Sequence, residues 1–242
     1  MRKILNPPRL SDLRRELAAL ADPERARNSA WFFKTAKGQY GEGDRFIGIT
    51  VPVLRRIARR YRDLTLDEIA KLLSSRIHEY RLTALEILVS QYESGDSDSK
   101  QSIFDFYLRH IQHVNNWDLV DGSAPYIVGE HLKSRPREIL YKLSKSRNVW
   151  ERRMAMVATM PFIRAGDLDD TFAIARLLLN DQHDLIHKAV GWMLREAGKH
   201  STAALLKFLR QNYPAMPRTA LRYAIERLPD AQRKRILAGV FE

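Results

Sequence analysis

The sequence predicts an all-α fold: an α-solenoid of antiparallel helix pairs with a concave basic face. Three observations predict it. Apolar residues recur at helical spacing along the whole chain, no segment alternates as a strand does, and one pattern returns at the length of a helix pair. In LDEIAKLLSS, Leu66, Ile69, Leu72 and Leu73 form one stripe. In HEYRLTALEILVSQY, Leu82, Leu85, Ile87, Leu88 and Tyr92 form another. The breaks are short and polar: GDSDSK at 95–100, SRPRE at 134–138 and AGDLDD at 165–170.

Taken in order, residues 1–25 read as an N-terminal helical appendage to a single domain spanning 1–242, with LSDLRRELAALA helical and Ser11 as its N-cap. Four later segments carry a basic or His position followed by small and aliphatic residues: HEYRLTALEIL, VWERRMAMVAT, LIHKAVGWMLRE and MPRTALRYAIE. They align on Arg81, Arg153, His187 and Arg218, and Asp118 slots between the first two. The steps are then about 37, 35, 34 and 31 residues, one helix pair with its loops. Stacked pairs curve, and their inner helices line one continuous face.

Composition narrows the function. With 242 residues and 45% hydrophobic content the chain can bury a substantial core. The absence of cysteine removes disulfide frameworks, thiolate metal sites and cysteine nucleophiles, and fits a reducing cytoplasm. MRKILNPPRL lacks the apolar core of a signal peptide, and no run is long and apolar enough for a membrane span. Lys plus Arg total 41 against 29 Asp plus Glu, so 41 − 29 gives +12. Such a field attracts polyanions, nucleic acid first among them. On the expected inner helices, Arg152, Arg153, Lys188, Arg195, Arg218 and Arg222 would track a duplex backbone.

The stretch NNWDLVDGSAP, residues 115–125, holds the residues that could carry chemistry, although each alone also fits core packing, helix capping or an ion pair. On a helix Trp117 and Asp121 share one face, and GSAP marks a break that follows or interrupts it. Trp192 in KAVGWMLRE lies at a nearby register. Indoles on a basic face offer surfaces for a cationic base or a sugar, and a desolvated carboxylate stabilises positive charge developing there. Asp118 takes a structural or orienting role. His183 with His187, and His110 with His113, have helical ligand spacing but lack a companion signature, so no metal is expected. The glycines of KGQYGEGDRFIG match no nucleotide loop, and nothing singles out Lys188 as a lyase nucleophile.

From KTAKGQYGEGDRFIGITVPVLRR through NNWDLVD and NVWERR to HDLIHKAVGWMLRE and MPRTALRYAIE, the chain resembles the bacterial DNA alkylation repair glycosylases of the AlkD type, which are built from HEAT-like repeats. The resemblance implies that Asp121 is the catalytic carboxylate, and that Trp117 and Trp192 are the two indoles. It implies backbone contact by Arg153, after Trp150, and phosphate contact by Arg195. In the family's GIxxP turn, at Gly48, Ile49 and Pro52, the amides of Thr50 and Val51 would face a phosphate, as a helix N-terminus can. Lys188 and Arg152 join the DNA-binding set, and Tyr40 corresponds to an aromatic near the lesion. Some relatives carry a double Trp where Asn116-Trp117 stands here. The implied reaction is hydrolysis of the N-glycosidic bond of N3- or N7-alkylated purines in duplex DNA, by a monomer without a cofactor. Two other readings stand beside it: a non-catalytic binder of damaged or structured DNA, and a helical protein-interaction scaffold.

Overall fold

The computed structural model describes residues 9–241. Among these, helices follow one another from Leu10 to Leu237, and the only strand-like feature is a parallel bridge between Arg45 and Ile77. The all-α expectation holds. The chain divides into two compact units, one ending at Ser123 and one beginning at Ala124.

The first unit contains α1 (Leu10–Ala19), α2 (Pro23–Phe32), α3 (Val51–Arg60), α4 (Leu66–Leu73), α5 (His78–Ser94), α6 (Ser97–Arg109) and all but the last residue of α7 (Trp117–Ala124). Local chemistry sets the starts. Asp22 accepts the Arg25 amide at 2.9 Å ahead of Pro23. Thr65 and Glu68 form a reciprocal capping box that opens α4. Asp96 accepts the Ser99 amide at 2.9 Å, so α6 begins at Ser97, inside the polar segment expected to be a break. Ser11 is not the cap of α1. The Arg9 carbonyl already takes the amides of Asp12 and Leu13 at 3.0 and 3.2 Å, which puts Ser11 within the first turn, beside an Asp12 that suits the helix dipole. Leu13 and Leu17 are fully buried, and Glu16 accepts the Tyr61 hydroxyl at 3.1 Å. α5 packs against α3 and α4 around Leu54, Ile57, Ile69, Leu72, Leu85 and Leu88.

The second unit runs through a π-helical turn (Pro125–Gly129), α8 (Glu130–Leu132), α9 (Glu138–Leu143), α10 (Val149–Val157), α11 (Met160–Arg164), α12 (Asp169–Leu177), α13 (Asp184–His200), α14 (Thr202–Asn212), α15 (Arg218–Ala224) and α16 (Asp230–Leu237). GSAP does not end the helical backbone, but it interrupts the α register: α7 extends to Ala124 and Pro125 opens a π-helical turn. Proline has no N–H to give the carbonyl four residues back, and one added residue per turn relieves the ring's clash. α13 packs against α10, α12, α14 and α15. Gly191 lets α15 come close, since a Cβ there would lie 2.4 Å from the Tyr223 Cβ and 2.5 Å from the Ala220 carbonyl.

Three loop-to-helix junctions are built alike. Ser75, Ser146 and Asp181 each accept, through the side chain, the amide two residues on, at 3.0, 3.0 and 2.8 Å. The carbonyl of the same residue takes a side-chain N–H from six residues on: Arg81 at 2.8 Å, Arg152 at 2.9 Å and His187 at 2.6 Å. Each clasp seals the loop onto the first turn of α5, α10 or α13. The register of the repeat falls on Arg152, one residue before the alignment made on Arg153.

Candidate active site

The segment NNWDLVD occupies the turn before α7 and most of its length. Asn116 is fully buried; its Oδ1 takes the Trp117 amide at 2.8 Å and its Nδ2 donates to Asp44 at 3.2 Å. Leu119 and Val120 face the core, while Trp117, Asp118 and Asp121 are half-buried. Trp117 and Asp121, four residues apart within α7, lie along one side of the helix. Below them the Tyr107 hydroxyl donates to Ser123 Oγ at 2.8 Å, and Ser123 donates to the Leu119 carbonyl at 2.6 Å. Burial pushes the Tyr107 phenol up, the Ser123 hydrogen bond opposes this, and the negative charge of Asp121 adds to the rise.

Aromatic rings seat the indole. Trp117 stacks on Phe33 at 5.3 Å and 14°, with Phe32 edge-on at 6.1 Å. Phe33 stacks on Phe46 at 4.9 Å, and Phe46 stacks on His78 at 4.6 Å. Such pairs add about 0.5–1.5 kcal/mol each beyond their buried area. Tyr40, half-buried, reaches the Phe32 carbonyl at 3.5 Å.

A charged network lies beneath this cluster. His78 is 2% exposed, and its Nδ1 and Nε2 contact Asp44 at 3.2 Å and Asp118 at 2.8 Å. Carboxylates only accept, so both ring nitrogens donate and His78 is an imidazolium. Burial alone would lower its pKa, but the charge and hydrogen bond of Asp118, with the Asp44 hydrogen bond, lift it to about 9. Asp44 also receives Arg81 at 2.7 Å. Burial would raise the Asp44 carboxyl, yet hydrogen bonds from His78 and Asn116 and the charge of Arg81 hold it below 3.8. Two carboxylates thus meet two cations. The Arg45–Ile77 bridge aligns the loop carrying Asp44 with the start of α5, the His78 amide donating to the Arg45 carbonyl at 2.8 Å.

One turn along the same loop, Glu79, 3% exposed, accepts the amides of Ile47 and Gly48 at 3.0 and 2.8 Å. Gly48 has φ +83°, and a Cβ on it would lie 2.2 Å from the Asp22 carbonyl. This turn leads into α3, leaving Thr50 and Val51 exposed at an N-terminus whose first turn has no acidic residue. Asp44, His78, Glu79 and Arg81 were not singled out as a site from sequence. The Glu79 cradle and the long-range partners of Asp44 carry no local sequence signal, and Arg81 entered only as a position of the repeat.

The other expected residues lie in the second unit. Trp192 is half-buried on α13, and Lys188 and Arg195, at four and three residues' spacing, share its side of the helix. Lys188 pairs with Asp184 at 2.7 Å, and Arg195 with Glu196 and Glu226. Arg152 binds Asp181 at 2.5 Å as well as the carbonyls of its clasp. Arg153 is 5% exposed and donates to the Leu185 carbonyl at 2.5 Å, tying α10 to the first turn of α13. Arg218 donates to the Leu237 carbonyl at 2.9 Å.

Residues 13–228 match the model of a family described as DNA alkylation repair enzyme. The solved structure of a protein described as a predicted DNA alkylation repair enzyme from Enterococcus faecalis is similar in fold, with a TM-score of 0.66 at 16% identity, over 87% of this chain and 97% of that one. No curated protein sequence matches the chain.

Proposed function

The chain belongs to the DNA alkylation repair enzyme family, and on that premise we propose that it is a monofunctional DNA glycosylase for cationic N3- and N7-alkylated purines in duplex DNA. The family assigns the protein to DNA repair. The observation that carries the finer reading is the pairing of Trp117 and Asp121 on one side of α7, above a neutralised charged foundation.

Alkylation at N3 or N7 makes the purine a cation and a good leaving group, so no general acid is needed. The C1′–N bond breaks with its electron pair going to the base, which departs neutral. Positive charge develops on the sugar, and the Asp121 carboxylate stabilises it electrostatically. A water oxygen then bonds to C1′, its proton passing to Asp121 or to solvent, and an abasic site remains. Trp117 is assigned the sugar or lesion face in the first unit, and Trp192 an aromatic contact for DNA in the second. Thr50 and Val51 in the first unit, and Lys188 and Arg195 in the second, are assigned phosphate contacts, and Arg152 and Arg153 hold the starts of α10 and α13. One chain, without cofactor, suffices for this reaction.

The test is release of N7-methylguanine and N3-methyladenine from methylated duplex. Asp121→Asn should lower excision by about a hundredfold or more while duplex binding stays near wild type. Undiminished excision by that variant would remove Asp121 from the mechanism. Salt-sensitive DNA binding by wild type without base release would instead favour a non-catalytic DNA binder.

A further inference from the structure

The end of α2 carries a feature that the catalytic reading does not use. Three aromatic residues follow one another, Trp31, Phe32 and Phe33. Phe33 is spent inside, between Trp117 and Phe46. The other two face water: Trp31 is 83% exposed and Phe32 57%. A single exposed ring is ordinary, but two adjacent ones at a helix end form a patch. Beside them lies a hollow of about 550 Å³ lined by Ala30, Lys34, Thr35, Ala36 and Gln39, on the scale of a site for a small planar group. The patch is continuous with the candidate site, because Phe32 meets the Trp117 ring edge-on.

Charge decides the occupant. Between residues 22 and 42 the exposed Arg25, Arg27, Lys34 and Lys37 stand against Asp22, Glu24 and Glu42, of which Asp22 pairs with Arg25 at 3.3 Å and Glu42 accepts the Gly38 amide at 2.7 Å, and Lys34 is the one charged residue lining the hollow. A surface meant for a second protein copy would need wide apolar cover, whereas rings set among cations suit a nucleic-acid strand, base faces on the rings and phosphates on the cations. Exposed apolar side chains of this kind wedge against distorted base steps.

We propose that Trp31 and Phe32 form a second aromatic contact for DNA, a ledge beside Trp117 that stacks on an unstacked base flanking the damaged nucleotide. This rests on the glycosylase reading and extends it from the reacting sugar to the neighbouring strand. The ledge recognises loss of stacking, so it favours a gapped or abasic position over intact duplex.

The probes are a duplex containing a tetrahydrofuran abasic analogue with 2-aminopurine next to it, and an intact duplex of the same sequence. Trp31→Ala should weaken binding of the abasic duplex about tenfold, the scale of one base–aromatic stack, and change intact-duplex binding by less than about twofold, with Trp31→Phe close to wild type. Wild type should quench 2-aminopurine fluorescence on binding, and Trp31→Ala should not. Because the indole is exposed, the variant keeps its fold, which far-ultraviolet circular dichroism checks. Equal binding of the abasic duplex by wild type and Trp31→Ala overturns the ledge. So does an equal loss on both duplexes, or a self-association that Trp31→Ala abolishes. Wild-type excision with any of these leaves the glycosylase reading standing; failure of wild type to bind either duplex ends both.

Discussion

Raising the pH should unlock the foundation beneath α7, because His78 is held as a cation where a neutral ring would leave two carboxylates facing Arg81 alone. A rise in its pKa from 6.5 to about 9 corresponds to roughly 3 kcal/mol of stability. The folded value lies above the unfolded one, so this contribution is complete below pH 6.5, shrinks between 6.5 and 9, and is gone above. Asp44 acts at the other end: held below 3.8, it contributes above that value and loses its share as pH falls through the folded pKa. At 2% exposure solvent screening does little to reduce the His78 figure. The assay is urea unfolding at about pH 6 and about pH 10, for wild type and His78→Gln. Wild type should lose roughly 3 kcal/mol more than the variant between the two pH values, since Lys and Tyr titrations are common to both. At about pH 6 the variant itself should be weaker by roughly 3–5 kcal/mol, the cost of removing one partner from a buried ion pair. A wild-type pH dependence identical to the variant's would refute the imidazolium assignment.

Two further outcomes test the packing of the second unit. Gly191→Ala should cost about 1–3 kcal/mol through overpacking, because the new methyl meets Tyr223 and the Ala220 carbonyl and α15 must back away; an unchanged urea midpoint would contradict the close approach. Arg152→Met should cost about 3 kcal/mol by leaving Asp181, whose side chain is 6% exposed, without its guanidinium, and the loss should persist at high salt because the pair is largely buried.

How much of this was legible in the sequence depends on the range of the interaction. Helical period and the repeat of basic first turns are local, and they led to α5, α10, α13 and α15. The face shared by Trp117 and Asp121 is local as well. The clasp at Ser75, Ser146 and Asp181 was available as a Ser or Asp followed six residues later by Arg or His. It was missed because the alignment used the cation alone, and two adjacent arginines offered two registers. GSAP has a turn composition, yet Val120 before it and Ile127 and Val128 after it are fully buried, and that burial outweighs a local propensity worth about a kcal/mol per residue. The Asp44–His78–Asp118 network joins residues 34 and 40 positions apart, so no periodicity announces it. Many of the arginines counted as a DNA-facing set are engaged within the unit, because a guanidinium with five donors also serves to satisfy loop carbonyls.

The two aspartates of α7 show why position on a helix decides chemistry. Asp118 and Asp121 are the same residue type three apart, both half-buried. Asp118 accepts the His78 ring N–H through Oδ2 and the Leu119 amide through Oδ1. Moving it toward a substrate would break an ion pair with a buried imidazolium and loosen the start of the helix. A group so placed fixes geometry. Asp121 lies one turn further along, on the side of the helix that carries Trp117, and its charge is felt at Tyr107 below. On the proposed mechanism, a sugar cation would meet the indole and this carboxylate together. Asp118→Asn should then reduce stability and lower excision only through α7, whereas Asp121→Asn should slow the chemical step; the locked aspartate would be what keeps the proposed reactive one in place.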